Sequence, residues 1–304
     1  MNPATCPIPA AACGLCALRE RRRFGGWLAA AGAAAWAGPA AAQGAGDAGV
    51  RDDVGRTSRM AQLVPAEQVE GQAAQQYLQL TREAGAQRQL APPNHPQVLR
   101  LRAIAQRIVP FAPAWNERAR RWRWEVNLLG SPELNAFCMP GGKIAFYSGI
   151  LKKLRLDDDE VAAIMGHEMA HALREHARER MGKGMATRGL IDLGSAALGL
   201  GQLGRMAAQG AGQLAQLKFS RDDETEADIV GMDLAARAGY DPAAGVQLWQ
   251  KMLAASRGAP PQWLSTHPAS QTRIRDIQAK LPKVQPLYAK AAKPTQRYAP
   301  FTAG

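Results

Sequence analysis

The 304-residue sequence predicts a mainly α-helical fold with a small antiparallel β-sheet, an α+β arrangement. Three observations carry this. Long stretches such as "EGQAAQQYLQLTREAG" and "DDDEVAAIMGHEMAHALREHARERM" repeat apolar residues at helical spacing. In "RRWRWEVNLLG", Trp122, Trp124, Val126 and Leu128 alternate with Arg121, Arg123, Glu125 and Asn127, the two-residue period of a half-buried strand. A second short run, "KIAFYS" at 143–148, follows the turn Pro140-Gly141-Gly142. With 46% hydrophobic residues the chain can bury one good-sized core, which excludes a disordered protein.

In chain order, residues 1–42 read as a cleavable export signal. The basic cluster "RERRR" at 19–23 precedes the apolar, small-residue run "FGGWLAAAGAAAWAGPAAAQ", with the cut expected after Ala40-Ala41-Ala42. Its Ala and Gly content is too weakly hydrophobic for a retained anchor. Arg21-Arg22 before Phe24 also allows a twin-arginine route. The expected location is therefore the periplasm. Cys6, Cys13 and Cys16 would leave with the signal, so Cys138 would remain without an internal disulfide partner. Four arginines and one glutamate of the signal account for +3 of the net +12, leaving +9. That charge suits peripheral contact with anionic membrane surfaces. A nucleic-acid partner is not expected, because export and the core-facing alternation of the tryptophans both argue against base stacking.

Residues 43–65, rich in Gly, Asp, Arg and Ser, read as a linker to a domain spanning 66–283. Helical patterning starts near Glu67, stops at Pro92-Pro93 and resumes through "HPQVLRLRAIAQRIVPFA". After the strands, Asp157 and Glu160 have capping-box spacing at the head of the most strongly patterned helix. Further helices are expected at 187–217, 219–238, 243–256 and 269–280. The first of these is Gly/Ala rich, and Asp192, Gln202 and Arg205 argue against its being a membrane span. Residues 284–304 form a basic, Pro-rich stretch without an acidic residue, read as a loosely ordered tail.

Three of the five histidines lie in "GHEMAHALREH", residues 166–176. A helix turns about 100° per residue, so His171 falls only about 40° from His167 and one turn along. Both imidazoles can then face one ion. Glu168 sits beside them, placed to take a proton from a water without being a ligand itself. This is the H-E-x-x-H pattern of zinc hydrolases. Nine residues after His167, His176 would point about 180° away on a continuous helix, and is read as a surface or packing histidine. Burying two imidazoles and a carboxylate among Val161, Ile164, Met165, Met169, Ala170 and Leu173 calls for a compensating partner, which a divalent cation supplies.

A catalytic zinc site uses three protein ligands. Candidates for the third cluster in "SRDDETEAD": Asp222, Asp223, Glu224, Glu226 and Asp228. Glu224 and Asp228 share a face at i, i+4 spacing, while Glu226 falls about 200° from Glu224. Glu224 is thus the expected third ligand, with Asp228 accepting the free N–H of a ligand histidine and Glu226 solvated. Glu226 or Asp223 would be the next to try.

"HEMAH" followed by "SRDDETEAD", with "NAFCMPGGKIAFYSGIL" before and "STHPASQTRI" after, resembles the gluzincin metalloprotease family of the CAAX prenyl protease, HtpX and the mitochondrial protease Oma1. The likeness extends to its soluble periplasmic members, BepA and LoiP. The resemblance covers roughly 60–282. It implies a zincin-type metalloprotease domain in which His167, His171 and Glu224 bind one Zn2+, Glu168 is the catalytic base and Asp228 supports a ligand histidine. It further implies that Lys143, Ile144, Ala145 and Phe146 form a strand beside the cleft on which a peptide substrate adds. His267 would lie near the metal, capping its open position or assisting catalysis, with Arg273 matching the arginine that follows it. A blander reading has His267 capping the helix that begins near Ala269. The chain lacks the tetratricopeptide repeats of BepA and, outside the signal, the spans of HtpX.

The expected function is zinc-dependent endopeptidase activity in the cell envelope, directed at misfolded or outer-membrane polypeptides, with the outer-membrane assembly machinery as a partner. In that reaction Glu168 shuttles a proton from water to the leaving amine, and His267 or Arg273 stabilises the oxyanion. The rival is a periplasmic chaperone or adaptor that uses the same cleft with a latched zinc site.

Overall fold

The computed structural model describes residues 49–197, 219–255, 262–268 and 270–302. The export signal expected at 1–42, and the helix expected at 187–217 beyond its residue 197, lie outside them. Nine helices are described, around a three-stranded sheet: α1 Ala66–Ala86, α2 Pro96–Ile108, α3 Ser148–Leu154, α4 Asp158–Leu173, α5 His176–Ala197, α6 Arg221–Arg237, α7 Ala244–Ala255, α8 Gln262–Thr266 and α9 Gln271–Lys290. None is long and apolar enough to cross a membrane.

The sheet runs β1 Glu125–Leu129, β2 Ala136–Met139 and β3 Lys143–Tyr147, in the order β1-β3-β2. It is mixed: β2 and β3 pair antiparallel, but β1 and β3 run parallel. The antiparallel expectation thus holds for one pairing only. The reason is β2, a four-residue strand buried along its whole length, which has no polar alternation to reveal it. By supplying the return leg between the two legible strands, it reverses the chain twice and leaves β1 and β3 pointing the same way. Gly141 and Gly142 both have positive φ in the β2–β3 turn, and a Cβ on Gly142 would meet the Trp124 ring at 2.7 Å. Trp122 and Trp124 lie just before β1, extended and buried, with their indole N–H groups donating to Glu70 and to the Ala119 carbonyl.

Helix α4 runs through the core, sandwiched between the sheet and α6. Its capping box forms as the spacing requires: Asp157 Oδ1 accepts from the Glu160 amide at 2.9 Å, and Glu160 Oε2 from the Asp157 amide at 3.0 Å. What brings α4 and α6 together is a pair of glycines. A Cβ on Gly166 would meet the Gly231 carbonyl oxygen at 2.6 Å, and one on Gly231 would meet the His167 amide nitrogen at 2.7 Å. Only residues without side chains allow that approach.

The described parts of the stretches read as a linker and as a tail are packed. In the linker stretch, Val50 is fully buried, Ala61 and Val64 are buried, and Asp53 accepts from Lys283 at 2.6 Å. In the tail, α9 continues to Lys290 through Pro282 and Pro286, burying Val284 and Leu287. Residues 291–302 then cross to α4, where Tyr298 N donates to Asp158 Oδ2 at 2.8 Å and Arg297 pairs with Asp159 at 2.8 Å. The tail carries no acid of its own, but the first turn of α4 supplies two.

Candidate active site

Helix α4 presents His167, Glu168 and His171 from its last two turns, all buried. As the 100° rule requires, the two imidazoles converge, with their Nε2 atoms 3.1 Å apart. Helix α6, held close by the glycine crossing, brings Glu224 to within 3.4 Å of His171 Nε2 and 3.5 Å of His167 Nε2. Its next turn places Asp228 Oδ1 3.0 Å from His167 Nδ1, the ring nitrogen that faces away from the cluster. A fourth group arrives from the joint between α8 and α9: His267 Nδ1 lies 2.8 Å from Glu224 Oε1 and 3.3 Å from His167 Nε2. The helix-capping role considered for His267 belongs instead to Ser270, whose Oγ accepts from the Arg273 amide.

These four side chains fit a metal ion. Ligand atoms of His167, His171, Glu224 and His267 all lie within 4.8 Å of one another. A tetrahedral zinc with bonds of about 2.0–2.1 Å has ligands separated by about 3.3 Å, close to the 3.1, 3.3 and 3.4 Å found between members of the set. Glu224 Oε2 is buried and accepts no well-directed hydrogen bond, although Arg273 Nη1 meets it as an ion pair at 2.7 Å. Two imidazoles, a third imidazole and a carboxylate form a donor set suited to zinc.

The electrostatics agree with that use. Burial drives the His171 imidazole well below its ordinary pKa, which leaves it neutral with a lone pair to offer. Burial alone would raise the Glu224 carboxyl, but the charge of His267 and the hydrogen bonds from His171 and His267 outweigh it and keep it ionised. Asp228 likewise stays below the usual carboxylate range: burial opposes ionisation, and the adjacent Arg273 charge with the His167 hydrogen bond overcomes it. Arg273 donates from Nε and Nη2 to Asp228, meets Glu224 through Nη1 and lies over the Trp249 ring at 3.7 Å. A guanidinium so committed bridges the two carboxylates of α6 and holds them in place.

Three sequence expectations change here. Helix α4 stops at Leu173, Glu175 takes the left-handed conformation at φ 60°, and α5 sets off from His176 in a new direction. His176 is therefore the packing histidine of the two alternatives, but it turns back against His171 and not away from it, with the two Nδ1 atoms 2.8 Å apart. Glu226 is only partly exposed: it pairs with Arg174 and lies 3.4 Å from His176 Nε2. Finally, Lys143, Ile144, Ala145 and Phe146 cannot receive a substrate strand. They belong to β3, the central strand, whose backbone is paired on both sides. The edge strand packed on α4 is β2.

Two contacts at the site had no warning in the sequence reading. Trp263, fully buried, donates its indole N–H to Glu168 Oε1 at 2.7 Å, and Phe219 stacks on the His171 ring with centroids 4.0 Å apart. Trp263 stands one helical turn before His267, and the His267 amide donates to its carbonyl at 2.8 Å. That i, i+4 spacing was the available signal.

A pair of histidines and a glutamate on one helix, joined by a carboxylate from a second, defines a helix-borne metal site of the metallopeptidase class. The model of peptidase family M48 matches residues 96–281, and the chain belongs to that family. It is 36% identical to the mitochondrial metalloendopeptidase OMA1 of Schizosaccharomyces pombe over 199 residues, 64% of this chain and 56% of that protein. It is similar also to the metalloprotease LoiP of Escherichia coli, 29% identical over 187 residues, 56% of this chain and 73% of that one. With the beta-barrel assembly-enhancing protease of Yersinia pestis the identity is 26% over 181 residues, 56% and 37% of the two chains. The matched stretch thus spans less than two thirds of the OMA1 relatives from the two yeasts.

Proposed function

We propose that this chain is a zinc-dependent endopeptidase of the cell envelope, cleaving misfolded or outer-membrane polypeptides. The observation that carries the reading is the convergence of His167 Nε2, His171 Nε2 and Glu224 with Glu168 on the same helix turn. Zinc held there would supply Lewis acidity and make water a nucleophile at neutral pH. Glu168 would take a proton from the attacking water and return it to the leaving amine. Asp228 fixes the His167 ring through Nδ1, and Arg273 holds Asp228 and Glu224 in place. An extended substrate would add to β2. Tyr147 N donates to Asn135 O, so by the two-residue period the Ala136 and Cys138 backbone groups face away from β3. The signal-like leader and the printed name of the Yersinia relative support an envelope location and a link to outer-membrane assembly.

One observation favours a resting state that is latched. His267 stands at the fourth corner of the ligand set, and Trp263 on the same short segment occupies an oxygen of Glu168. Such a protein would look inert in a simple assay and could hold unfolded chains as a chaperone does. The full chain, incubated with casein and with an unfolded barrel protein, with and without chelator, separates the readings. Endopeptidase action requires that chelator abolish cleavage and that Glu168→Gln lower it by roughly a hundred- to ten-thousand-fold while zinc is retained. A latched enzyme gains activity on His267→Ala. Aggregation prevented equally by wild type and Glu168→Gln, with no cleavage by either wild type or His267→Ala, would establish the chaperone instead.

A further inference from the structure

The two ligand histidines of α4 are held from behind in different ways. His167 gives its outer nitrogen directly to a carboxylate, Asp228. Among the described residues, no carboxylate stands directly behind His171. Its Nε2 faces the ligand cluster, so in a neutral ring that donates a lone pair from Nε2 the proton must reside on Nδ1. The atom placed to accept that proton is His176 Nδ1, 2.8 Å away. An acceptor at Nδ1 puts the His176 proton on Nε2, and Nε2 faces Glu226 Oε2 at 3.4 Å. The other Glu226 oxygen takes Arg174 Nε, and Arg174 Nη2 donates to the Gly55 carbonyl at 2.5 Å.

We infer that His176 is a positioning residue for the metal ligand His171, relaying the anchor of Glu226 through its own imidazole. The relay fixes the tautomer of both rings in series and makes His171 a better donor, as a directly bonded carboxylate would. His176 has little freedom to do otherwise. It is 1% exposed, meets His171 edge-on with ring centroids 5.0 Å apart, and His171 is itself pinned on its face by Phe219. The left-handed turn at Glu175 is the backbone device that brings it there. Arg174 extends the chain of contacts to the segment before α1, so the anchor is set by two parts of the chain that meet only in the fold.

The inference rests on the zinc reading, and the experiment separates the two. Full-length zinc-loaded protein is mixed with excess chelator and the rate of zinc release is followed, with the melting temperature of each apoprotein as a folding control. His176→Phe should release zinc about 10- to 100-fold faster, with an apoprotein that melts as the wild type does. His176→Asn, whose amide oxygen can occupy the place of Nδ1, should recover most of the difference. In proton NMR of the zinc form, the hydrogen-bonded His171 Nδ1–H should stay downfield in wild type and His176→Asn, and leave that region in His176→Phe. If His176→Phe does not fold, Glu226→Gln at the partly exposed end carries the test, with faster release again expected. Unchanged release in His176→Phe, or equal loss in His176→Asn, overturns the relay. Wild type that binds no stoichiometric zinc overturns the zinc reading instead.

Discussion

The supports behind His167 and His171 contrast in length and in burial. Behind His167 the order is imidazole, Asp228, Arg273, all within the core. Behind His171 it is imidazole, His176, Glu226, Arg174, passing through a carboxylate whose side chain is 26% exposed. Each ends in an arginine, so both are neutralised, but the short one is dry and the long one reaches solvent. An ionic contact in the core is costly to break because the surviving charge keeps its desolvation penalty, whereas one at the surface is rehydrated. The difference predicts that the His167 support governs stability and metal together, while the His171 support governs chiefly the metal.

The strongest way to break this comparison is Asp228→Ala. It removes the carboxylate that meets His167 Nδ1 and strips Arg273 of two hydrogen bonds, leaving the buried guanidinium with Glu224 as its one remaining ion-pair partner among the described residues. We expect a loss of about 3–5 kcal/mol in urea unfolding of the apoprotein, together with loss of stoichiometric zinc. An apoprotein as stable as the wild type would show that the buried order is not the stronger one.

Next in size is Gly231→Ala, which attacks what the two supports share. The added Cβ would lie 2.7 Å from the His167 amide nitrogen, so α6 must move off α4 and carry Glu224 and Asp228 with it. Overpacking of this kind costs about 1–3 kcal/mol. Zinc release should quicken more than in a variant of either support alone, because the third ligand shifts as well. If stability falls but zinc release does not change, the crossing sets the packing of the helices without setting the site.

These effects also mark what the sequence could and could not reveal. The convergence of His167, His171 and Glu168, and the joint turn of Glu224 and Asp228, follow from 3.6 residues per turn on helices that the pattern makes plain. The His167 support was legible for that reason. The His171 support was not, because it depends on a break in α4 at Glu175, a residue with no glycine or proline to announce the left-handed turn. Extrapolating one continuous helix sent His176 to the wrong side, and so left Glu226, about 200° round α6 from Glu224, without its partner. The sheet failed in a similar manner: β1 had a legible period and β3 was marked by the turn before it, but wholly buried β2 had neither, so the β1–β3 direction and the substrate edge were misassigned. Local periodicity was informative up to each point where the backbone turned.

The smallest effect provides a control on the comparison. Arg297 from the tail pairs with Asp159 in the first turn of α4, two to three turns away from the ligand histidines, and both partners are partly exposed. Arg297→Ala should therefore cost no more than about 0.5–1 kcal/mol in thermal or urea unfolding. Since it touches neither support, zinc release should match the wild type. A marked acceleration would mean that stability of α4 as a whole, and not the groups behind each imidazole, sets metal retention, and the contrast between the two histidines would lose its physical basis.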